Sequence, residues 1–428
     1  MNSTTKKNYA LPIAMMFALF FMISFVTGLQ NPMGVIVKNQ FQASNFMSQL
    51  GNAANFIAYA FMGIPAGLLI QRIGYKKTAL SAIAVGFAGV GITFLSGQVQ
   101  SFAVYLMGAF VAGFSMCMLN AVVNPMLNTL GGAGKTGNKL LQLGGSINSM
   151  GATIVPVLVG FLMGDAAQAS ISDATPALMI AMGIFALTFV VLFAMEIPEP
   201  HLANVEVEKK AEKHSALSFR HFVLGIIAIF VYVGIEVGIP NTVNLYMTAE
   251  QGIGGLGINP TVAGTIVGTY WFLMLVGRLS GASLGAYFSS KTMLTFVSAL
   301  GLIFITAGIY MPTTTMVNMP VFKSDISFGL VEVPINVMFF VLCGLCTSIM
   351  WGGIFNLAVE GLGKYTAMAS GIFMVMVCGG GILPLVQAAV ADSAGYLASY
   401  WVMFAALVYL LFYALVGSKN VNKDIPVE

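Results

Sequence analysis

Long apolar runs separated by short polar segments dominate this chain. A run of about 20 apolar residues has the length of a helix that crosses a lipid bilayer. One charge-free stretch, 78–134, is too long for a single crossing, and the polar turn at 96–101 divides it. The pattern therefore predicts an all-α membrane protein with twelve spanning helices, near 9–37, 48–71, 77–96, 102–127, 140–164, 176–196, 220–247, 260–289, 292–311, 334–359, 365–391 and 396–417.

Composition agrees with a lipid-embedded chain. Only 8% of the 428 residues are charged and 58% are hydrophobic, whereas about 25% of residues are charged in soluble proteins. The basic residues are scattered through short loops and form no patch, so we expect no nucleic-acid partner. We also expect no cofactor, no metal site and no disulfide framework, because the four cysteines lie inside apolar runs without a ligand partner at zinc spacing: Cys117, Cys343, Cys346 and Cys378.

The distribution of Lys and Arg among the loops predicts the orientation. If the N-terminus is cytoplasmic, fifteen of the 18 basic residues fall on the cytoplasmic side. The opposite side has only Lys38 and Lys323, and Arg278 lies inside a span. Basic residues accumulate in cytoplasmic loops of membrane proteins. We therefore expect both termini in the cytoplasm.

A long loop at the midpoint of the chain mixes acidic and basic residues. This segment, 198–219, is the longest predicted cytoplasmic connection, and it separates two sets of six helices. We interpret it as a linker between an N-terminal half, 1–197, and a C-terminal half, 220–428. A second long loop, 312–334, shows no evident motif.

The two halves carry traces of an internal duplication, a common feature of transporters. Residues 113–120 of helix four resemble residues 344–351 of helix ten. Residues 150–156 of helix five have a counterpart at 378–384 of helix eleven. Because both matches pair a helix with the one six positions later, they indicate a parallel repeat of six helices.

The loop between helices two and three contains glycines and cations. Gly67 and Gly74 allow close helix approach and a tight turn, while Arg72 and Lys76 are suited to helix C-termini or anionic headgroups. The alternative is ordinary basic enrichment of a cytoplasmic loop. With twelve spans and a central linker, the run resembles the loop signature of the major facilitator superfamily, in which it would act in gating, although Gln71 stands where an acid is usual.

Within that superfamily the chain resembles the fucose and glucose/galactose permeases of the fucose:proton symporter family over nearly its whole length. The resemblance implies uptake of a hexose or deoxyhexose across a bacterial cytoplasmic membrane, coupled to an ion, by a major facilitator fold of two six-helix halves. The segments that carry it are 64–67 with 72–76, Asn124-Pro125 with Leu130-Gly131, 148–151, Tyr232 to Gly238 with Glu236, Gly277-Arg278, and Gly379–Ile382 with Pro384.

Two positions depart from the family. The fucose permeases carry an Asp in helix one and a Glu in helix four that are linked to proton coupling, and the matching positions here are Asn31 and Asn120. An amide does not titrate in this range. Three alternatives follow: the coupling proton uses another group, the driving ion is sodium, or the protein is a facilitator.

Glu236 and Arg278 are the ionisable residues predicted deep within spans. A charge in hydrocarbon costs about 2.5–3.5 kcal/mol on insertion scales, so such residues are functional candidates. Burial favours the protonated form of a carboxyl group, which suits Glu236 to carry the coupling proton; a structural hydrogen bond is the alternative. For Arg278 the sequence favours neither of two roles, a structural one and binding of the substrate.

Polar side chains in apolar helices are the candidate sugar ligands. Amides donate to and accept from hydroxyl groups, and aromatic faces cover the apolar side of a sugar ring. The alternative for each amide is a hydrogen bond between helices, worth about 0.6 kcal/mol in membranes. The candidates are Asn31, Asn120, Asn124, Gln142, Asn148, Asn241, Trp351 and Asn356.

Competing functions remain open. An acidic sugar such as a sialic acid would suit a site that has lost two carboxylates and keeps Arg278. A membrane-embedded enzyme or sensor lacks support, since no nucleophile–base pair is evident and the histidines lie in or beside the linker: His201, His214 and His221. We expect a monomer in the bilayer whose partners are a small sugar and a coupling ion, a proton or sodium.

Overall fold

The computed structural model describes residues 9–130, 134–162, 170–199, 214–284, 287–323, 327–422 and 424–427. Within these ranges, only the backbone is described for residues 30, 31, 71, 128, 129, 134–139, 141, 142, 156, 160, 282, 364, 366–368 and 370.

Twelve helical spans, numbered here in chain order, make up the described part of the fold. Spans 1 to 6 are Ala10–Gln40, Leu50–Ile70, Arg72–Gln98, Phe102–Leu130, Gly134–Leu162 and Thr175–Ala194. Spans 7 to 12 are Arg220–Thr248, Pro260–Leu284, Ser290–Tyr310, Ile335–Val359, Gly371–Ala394 and Tyr396–Gly417. A short helix, Asn45–Ser48, precedes span 2.

The predicted twelve-helix fold is confirmed, and its boundaries differ in detail. Eleven spans are long and apolar enough to cross a membrane, while span 5 has a shorter apolar segment, Leu143–Val159. The helical segment assigned to span 3 begins at Arg72, but Gly74 interrupts it with a non-helical backbone (φ 84°, ψ 172°). Regular helix therefore starts at Tyr75, close to the predicted residue 77.

A β-hairpin occupies the loop between spans 9 and 10, where the sequence shows no evident motif. Strands β1 (Met316–Phe322) and β2 (Phe328–Pro334) pair antiparallel, with Phe322 opposite Phe328. The hairpin docks on span 8, since the Phe322 N–H donates to Thr269 Oγ1 at 3.1 Å and the Phe322 ring stacks on Phe272 at 5.7 Å. This contact fixes the outer connection of spans 9 and 10 to span 8.

Two helix pairs join the first six spans to the second six. Span 5 packs along span 8, and span 2 packs along span 11. Glycines allow the second pair to approach closely: a Cβ at Gly381 would lie 2.8 Å from the Ala53 carbonyl oxygen. These contacts bring span 5 against span 8 and span 2 against span 11.

The turn between spans 2 and 3 is built around Gly74. Its φ of 84° lies in the left-handed region that favours glycine. The Glu199 carboxylate, which follows span 6, accepts from the backbone N–H groups of Tyr75 and Lys76 at 2.7 and 2.8 Å, and Lys76 Nζ donates to the Phe193 carbonyl. Glu199 therefore caps the start of span 3.

Two other residues of the predicted gating loop make less contact. The Arg72 side chain is exposed, and a Cβ at Gly67 would meet no atom within 4 Å. The expected close helix approach is therefore not made at Gly67. The carboxylate that contacts this loop is that of Glu199, which follows span 6 and lies outside the loop signature.

Removing the Glu199 carboxylate should destabilise this turn. We expect Glu199→Ala to lower the free energy of unfolding by about 1–2 kcal/mol, because two N–H groups at a helix N-terminus lose their acceptor. Thermal unfolding in detergent micelles measures the effect. Glu196→Ala, which removes an exposed carboxylate three residues earlier, is the matched control. Equal unfolding midpoints for the two variants would show that the cap contributes nothing.

Candidate functional site

Glu236 and Arg278, singled out separately in the sequence, form an ion pair between spans 7 and 8. Arg278 Nη2 lies 3.2 Å from Glu236 Oε1, and their side chains are only 13% and 16% exposed for Glu236 and Arg278. The pairing compensates part of the cost of each charge in a low-dielectric interior. Glu236 is near the middle of span 7, whereas Arg278 lies six residues before the end of span 8 and reaches Glu236 with its long side chain.

Arg278 also crosses to the other half of the bundle. Its Nη1 donates to the Gly145 carbonyl oxygen at 2.7 Å and to Ser149 Oγ at 2.8 Å, both on span 5. The guanidinium group presents several donors in a fixed planar fork, which suits it to hold acceptors from two helices. Arg278 therefore connects the carboxylate of span 7 to the backbone of span 5.

Tyrosines enclose the ion pair. The buried Tyr232 hydroxyl, one turn before Glu236, lies beside both charges without completing a well-formed hydrogen bond in the described part of the chain. The Tyr270 hydroxyl donates to the Glu236 backbone carbonyl at 3.1 Å and lies 3.1 Å from Thr347 Oγ1 of span 10. Spans 7, 8 and 10 are thus fixed to one another around the pair.

The Trp351 side chain packs against Tyr232, which lies beside the ion pair. Its ring meets Tyr232 edge to face, with centroids 6.2 Å apart, and Phe373 of span 11 with centroids 5.8 Å apart. The indole is partly exposed. An exposed aromatic face next to buried polar groups is the surface against which a sugar ring packs.

Two of the predicted amides lie together on span 4. Asn120 Nδ2 donates to the Tyr59 hydroxyl of span 2 and to the Met116 carbonyl, each at 3.0 Å, and remains partly exposed. Asn124 Nδ2 donates to the Asn120 carbonyl at 2.8 Å, four residues earlier. Asn124 thus satisfies a local backbone acceptor near the proline kink, while Asn120 keeps part of its surface available.

Asn241 occupies a different position, toward the predicted outer side. It is buried, and its Nδ2 donates to Gln49 Oε1 at 2.8 Å, joining span 7 to the start of span 2. Nearby helix ends are joined as well: the Asp392 carboxylate accepts from the backbone N–H groups of Asn45 and Phe46, each at 2.8 Å. These contacts close the bundle on its predicted outer side.

The remaining predicted ligands are dispersed. Asn148 is partly exposed next to Ser149, and its amide makes no hydrogen bond among the described residues. Asn356 is exposed, 3.5 Å from Ser290 Oγ at the start of span 9, and so lies apart from the ion pair. The side chains of Asn31 and Gln142 lie outside the described residues.

The structure shows partners of the candidate residues that the sequence did not single out. Ser149 was visible only as part of a motif that resembles a family, and Gln49 and Tyr59 gave no signal because polar and aromatic residues are common in spans. Among the described residues, no group of three His, Cys, Asp or Glu side chains is arranged to hold a metal ion.

Comparison with known proteins gives consistent matches. The family model described as Major Facilitator Superfamily matches residues 16–383. A glucose/galactose transporter of Brucella abortus biovar 1 (strain 9-941) is 31% identical over 424 residues, covering 98% of this chain and 97% of the relative. The L-fucose-proton symporter of Escherichia coli (strain K12) is 24% identical over 421 residues, covering 91% of this chain and 89% of the relative.

Solved structures match in fold. A crystal structure of the E. coli fucose:proton symporter aligns with a TM-score of 0.67 at 20% identity, covering 97% of this chain and all of that one. The nucleoside transporter NupG aligns with a TM-score of 0.68 at 13% identity, covering 96% of this chain and all of that one. At these identities the alignments establish a shared fold, independently of substrate.

Proposed function

The chain belongs to the Major Facilitator Superfamily, and from this premise we propose that it imports a hexose or deoxyhexose by proton symport with alternating access. The observation that carries the proposal is the likeness, over nearly the whole of both chains, to a glucose/galactose transporter. The L-fucose-proton symporter, similar over 91% of this chain, supports the same substrate class and a proton as the coupling ion.

The proposed sugar site lies between the ion pair and Trp351. Asn120 and Asn148 supply amides that donate to and accept from sugar hydroxyls, and both are partly exposed. Trp351 supplies an aromatic face. We keep Asn31, Asn124, Gln142, Asn241 and Asn356 as further proposed ligands, of which Asn356 lies farthest toward the cytoplasmic ends.

Glu236 is the proposed proton carrier, because Asn31 and Asn120 replace the family's carboxylates and do not titrate. When Glu236 is ionised, Arg278 holds it at 3.2 Å. A proton from outside neutralises the carboxylate and weakens its attraction to Arg278. Arg278 then keeps its two bonds to span 5, so protonation of Glu236 frees span 7 from this connection while span 8 stays bonded to span 5.

Alternating access follows from relative movement of the halves. We propose that residues 1–197 and 220–428 move as two bodies joined by the cytoplasmic linker 198–219, most of which lies outside the described residues. The buried outer contacts fit an inward-facing state. We further propose that the protein is a monomer in a bacterial cytoplasmic membrane and that both termini lie in the cytoplasm. The turn at Gly74, on the cytoplasmic side, is proposed to act in gating.

An acidic sugar is a weaker candidate. Its carboxylate would need a free cation, and Arg278 already bonds Glu236, Gly145 and Ser149. A second negative charge beside Glu236 would also be repelled by it. The geometry around Arg278 therefore favours a neutral substrate.

Transport by purified protein in proteoliposomes tests the proposal. Vesicles are loaded with one sugar at a time, covering fucose, glucose, galactose, N-acetylated hexosamines and sialic acid, and counterflow is measured. We expect exchange of a neutral hexose or deoxyhexose, and its accumulation when the outside is made acidic. Protein-free vesicles control for leakage.

Two results would contradict the proposal. Exchange of sialic acid alone would make Arg278 a substrate ligand. Accumulation that follows a sodium gradient and ignores the pH gradient would replace the proton as coupling ion.

A further inference from the structure

Two amide and two aromatic side chains line one face of span 2, between the proposed sugar site and the predicted outer end of the helix. These are Gln49, Asn52, Phe56 and Tyr59, at intervals of three and four residues that place them on one helix face. The Phe56 and Tyr59 rings stack with centroids 5.9 Å apart. We name these four residues the span-2 stripe. Its inner end reaches the proposed sugar site, because the Tyr59 hydroxyl accepts from Asn120.

The backbone of span 11 covers this stripe. Asn52 Nδ2 donates to the Gly380 carbonyl oxygen at 2.9 Å, and a Cβ at Gly380 would lie 2.9 Å from the Phe56 ring. Only a glycine backbone fits in this position without displacing the ring. The four stripe side chains are consequently less than 10% exposed.

The covered stripe leaves hydrogen-bonding capacity unused. Asn52 Oδ1, and Asn241 Oδ1 opposite Gln49, are buried without a partner among the described residues. Buried polar groups are normally paired, and unpaired ones are costly. Opening the outer side would expose two amides that accept from hydroxyls, next to an aromatic face.

We propose that the span-2 stripe is the site where the sugar first binds from outside, and that the glycine segment of span 11 competes with the sugar for it. In this site Asn52 and Gln49 bond sugar hydroxyls, while Phe56 covers the apolar face of the ring. The Gly380 carbonyl takes the place of a sugar hydroxyl when the site closes. The stripe carries no charge, so it suits a neutral pyranose. This inference rests on the proposed sugar transport.

Sided transport measurements test the stripe. Uptake of the sugar identified by counterflow is measured in right-side-out and inverted membrane vesicles of Asn52→Ala and Phe56→Leu. We expect the apparent KM for the sugar on the outside to rise about tenfold, because each variant loses one hydrogen bond or one ring contact to the sugar. The apparent KM on the cytoplasmic side should stay unchanged, since the stripe is closed from that side.

Asn55→Ala is the matched control. It removes an amide from the same turn of span 2, but Asn55 donates to the Ala109 carbonyl of span 4, inside the first half. Asn55 Oδ1, like Asn52 Oδ1, is buried without a partner among the described residues, so the two amides differ in the helix they contact. We expect Asn55→Ala to leave the ratio of the two KM values as in the wild type. Equal rises on both sides for Asn52→Ala, or no rise on either, would overturn the stripe as an outer site.

Gly380→Ala tests the competition independently. Its Cβ would lie 2.8 Å from Val233 Cγ1 of span 7 and 2.9 Å from the Phe56 ring of span 2. The contact with Phe56 hinders closure, so we expect external sugar binding to persist while turnover falls more than about tenfold. Wild-type turnover in this variant would overturn the covering role of span 11. A wild-type protein that exchanges no sugar at all would overturn the proposed function itself.

Discussion

Replacing Glu236 by Gln should abolish proton-driven accumulation and leave counterflow intact. Gln has nearly the same size and keeps an oxygen that accepts from Arg278, but it cannot take up a proton. A gradient of one pH unit supports about tenfold accumulation per coupled proton, since 1.4 kcal/mol corresponds to a factor of ten. In proteoliposomes with an acidic exterior, we expect the internal sugar concentration to fall from that level to the external one.

Glu250→Gln provides the matched control for this experiment. Glu250 is an exposed carboxylate just after span 7, so the same chemical change is made outside the bundle. This variant should accumulate sugar like the wild type. If Glu236→Gln also accumulates sugar, the proton uses another group and Glu236 is a structural partner of Arg278.

The spans were predictable because lipid imposes a strict requirement on sequence. Every backbone polar group inside the bilayer must be paired within its own helix, so each crossing needs a continuous apolar run. Helix ends carry no such requirement, so their positions depend on local contacts such as the cap that Glu199 makes on Tyr75 and Lys76. The hairpin at 316–334 escaped prediction because its position depends on Phe272 and Thr269 of span 8, about 50 residues earlier.

The members of the candidate site were predictable from the sequence, but the contacts between them were not. Glu236 and Arg278 stand out because charges are rare in spans, yet their pairing depends on how spans 7 and 8 pack. Asn241 looked like Asn120 in the sequence, and the structure separates them: Asn120 remains partly exposed, whereas Asn241 is buried against Gln49. Sequence spacing along one helix cannot reveal which neighbouring helix an amide faces.

Replacing Arg278 by Met should be the most destabilising single change in the centre. It leaves the Glu236 carboxylate largely buried without its partner, and breaking a buried ion pair in this way costs about 3–5 kcal/mol. It also removes the bonds to Gly145 and Ser149 that tie span 8 to span 5. We expect a lower midpoint of thermal unfolding in detergent and loss of counterflow.

A double variant separates these two contributions. In the Glu236→Gln background no carboxylate is left unpaired, so Arg278→Met should cost only about 1–2 kcal/mol, the value of its hydrogen bonds to span 5. Ser149→Ala alone should cost about 1 kcal/mol, because it removes one of those bonds. If Arg278→Met costs the same in both backgrounds, the ion pair contributes nothing to stability, and Arg278 is held in place by span 5. Protonation of Glu236 would then not loosen the hold of Arg278 on span 7, and the coupling step proposed for this pair would be wrong.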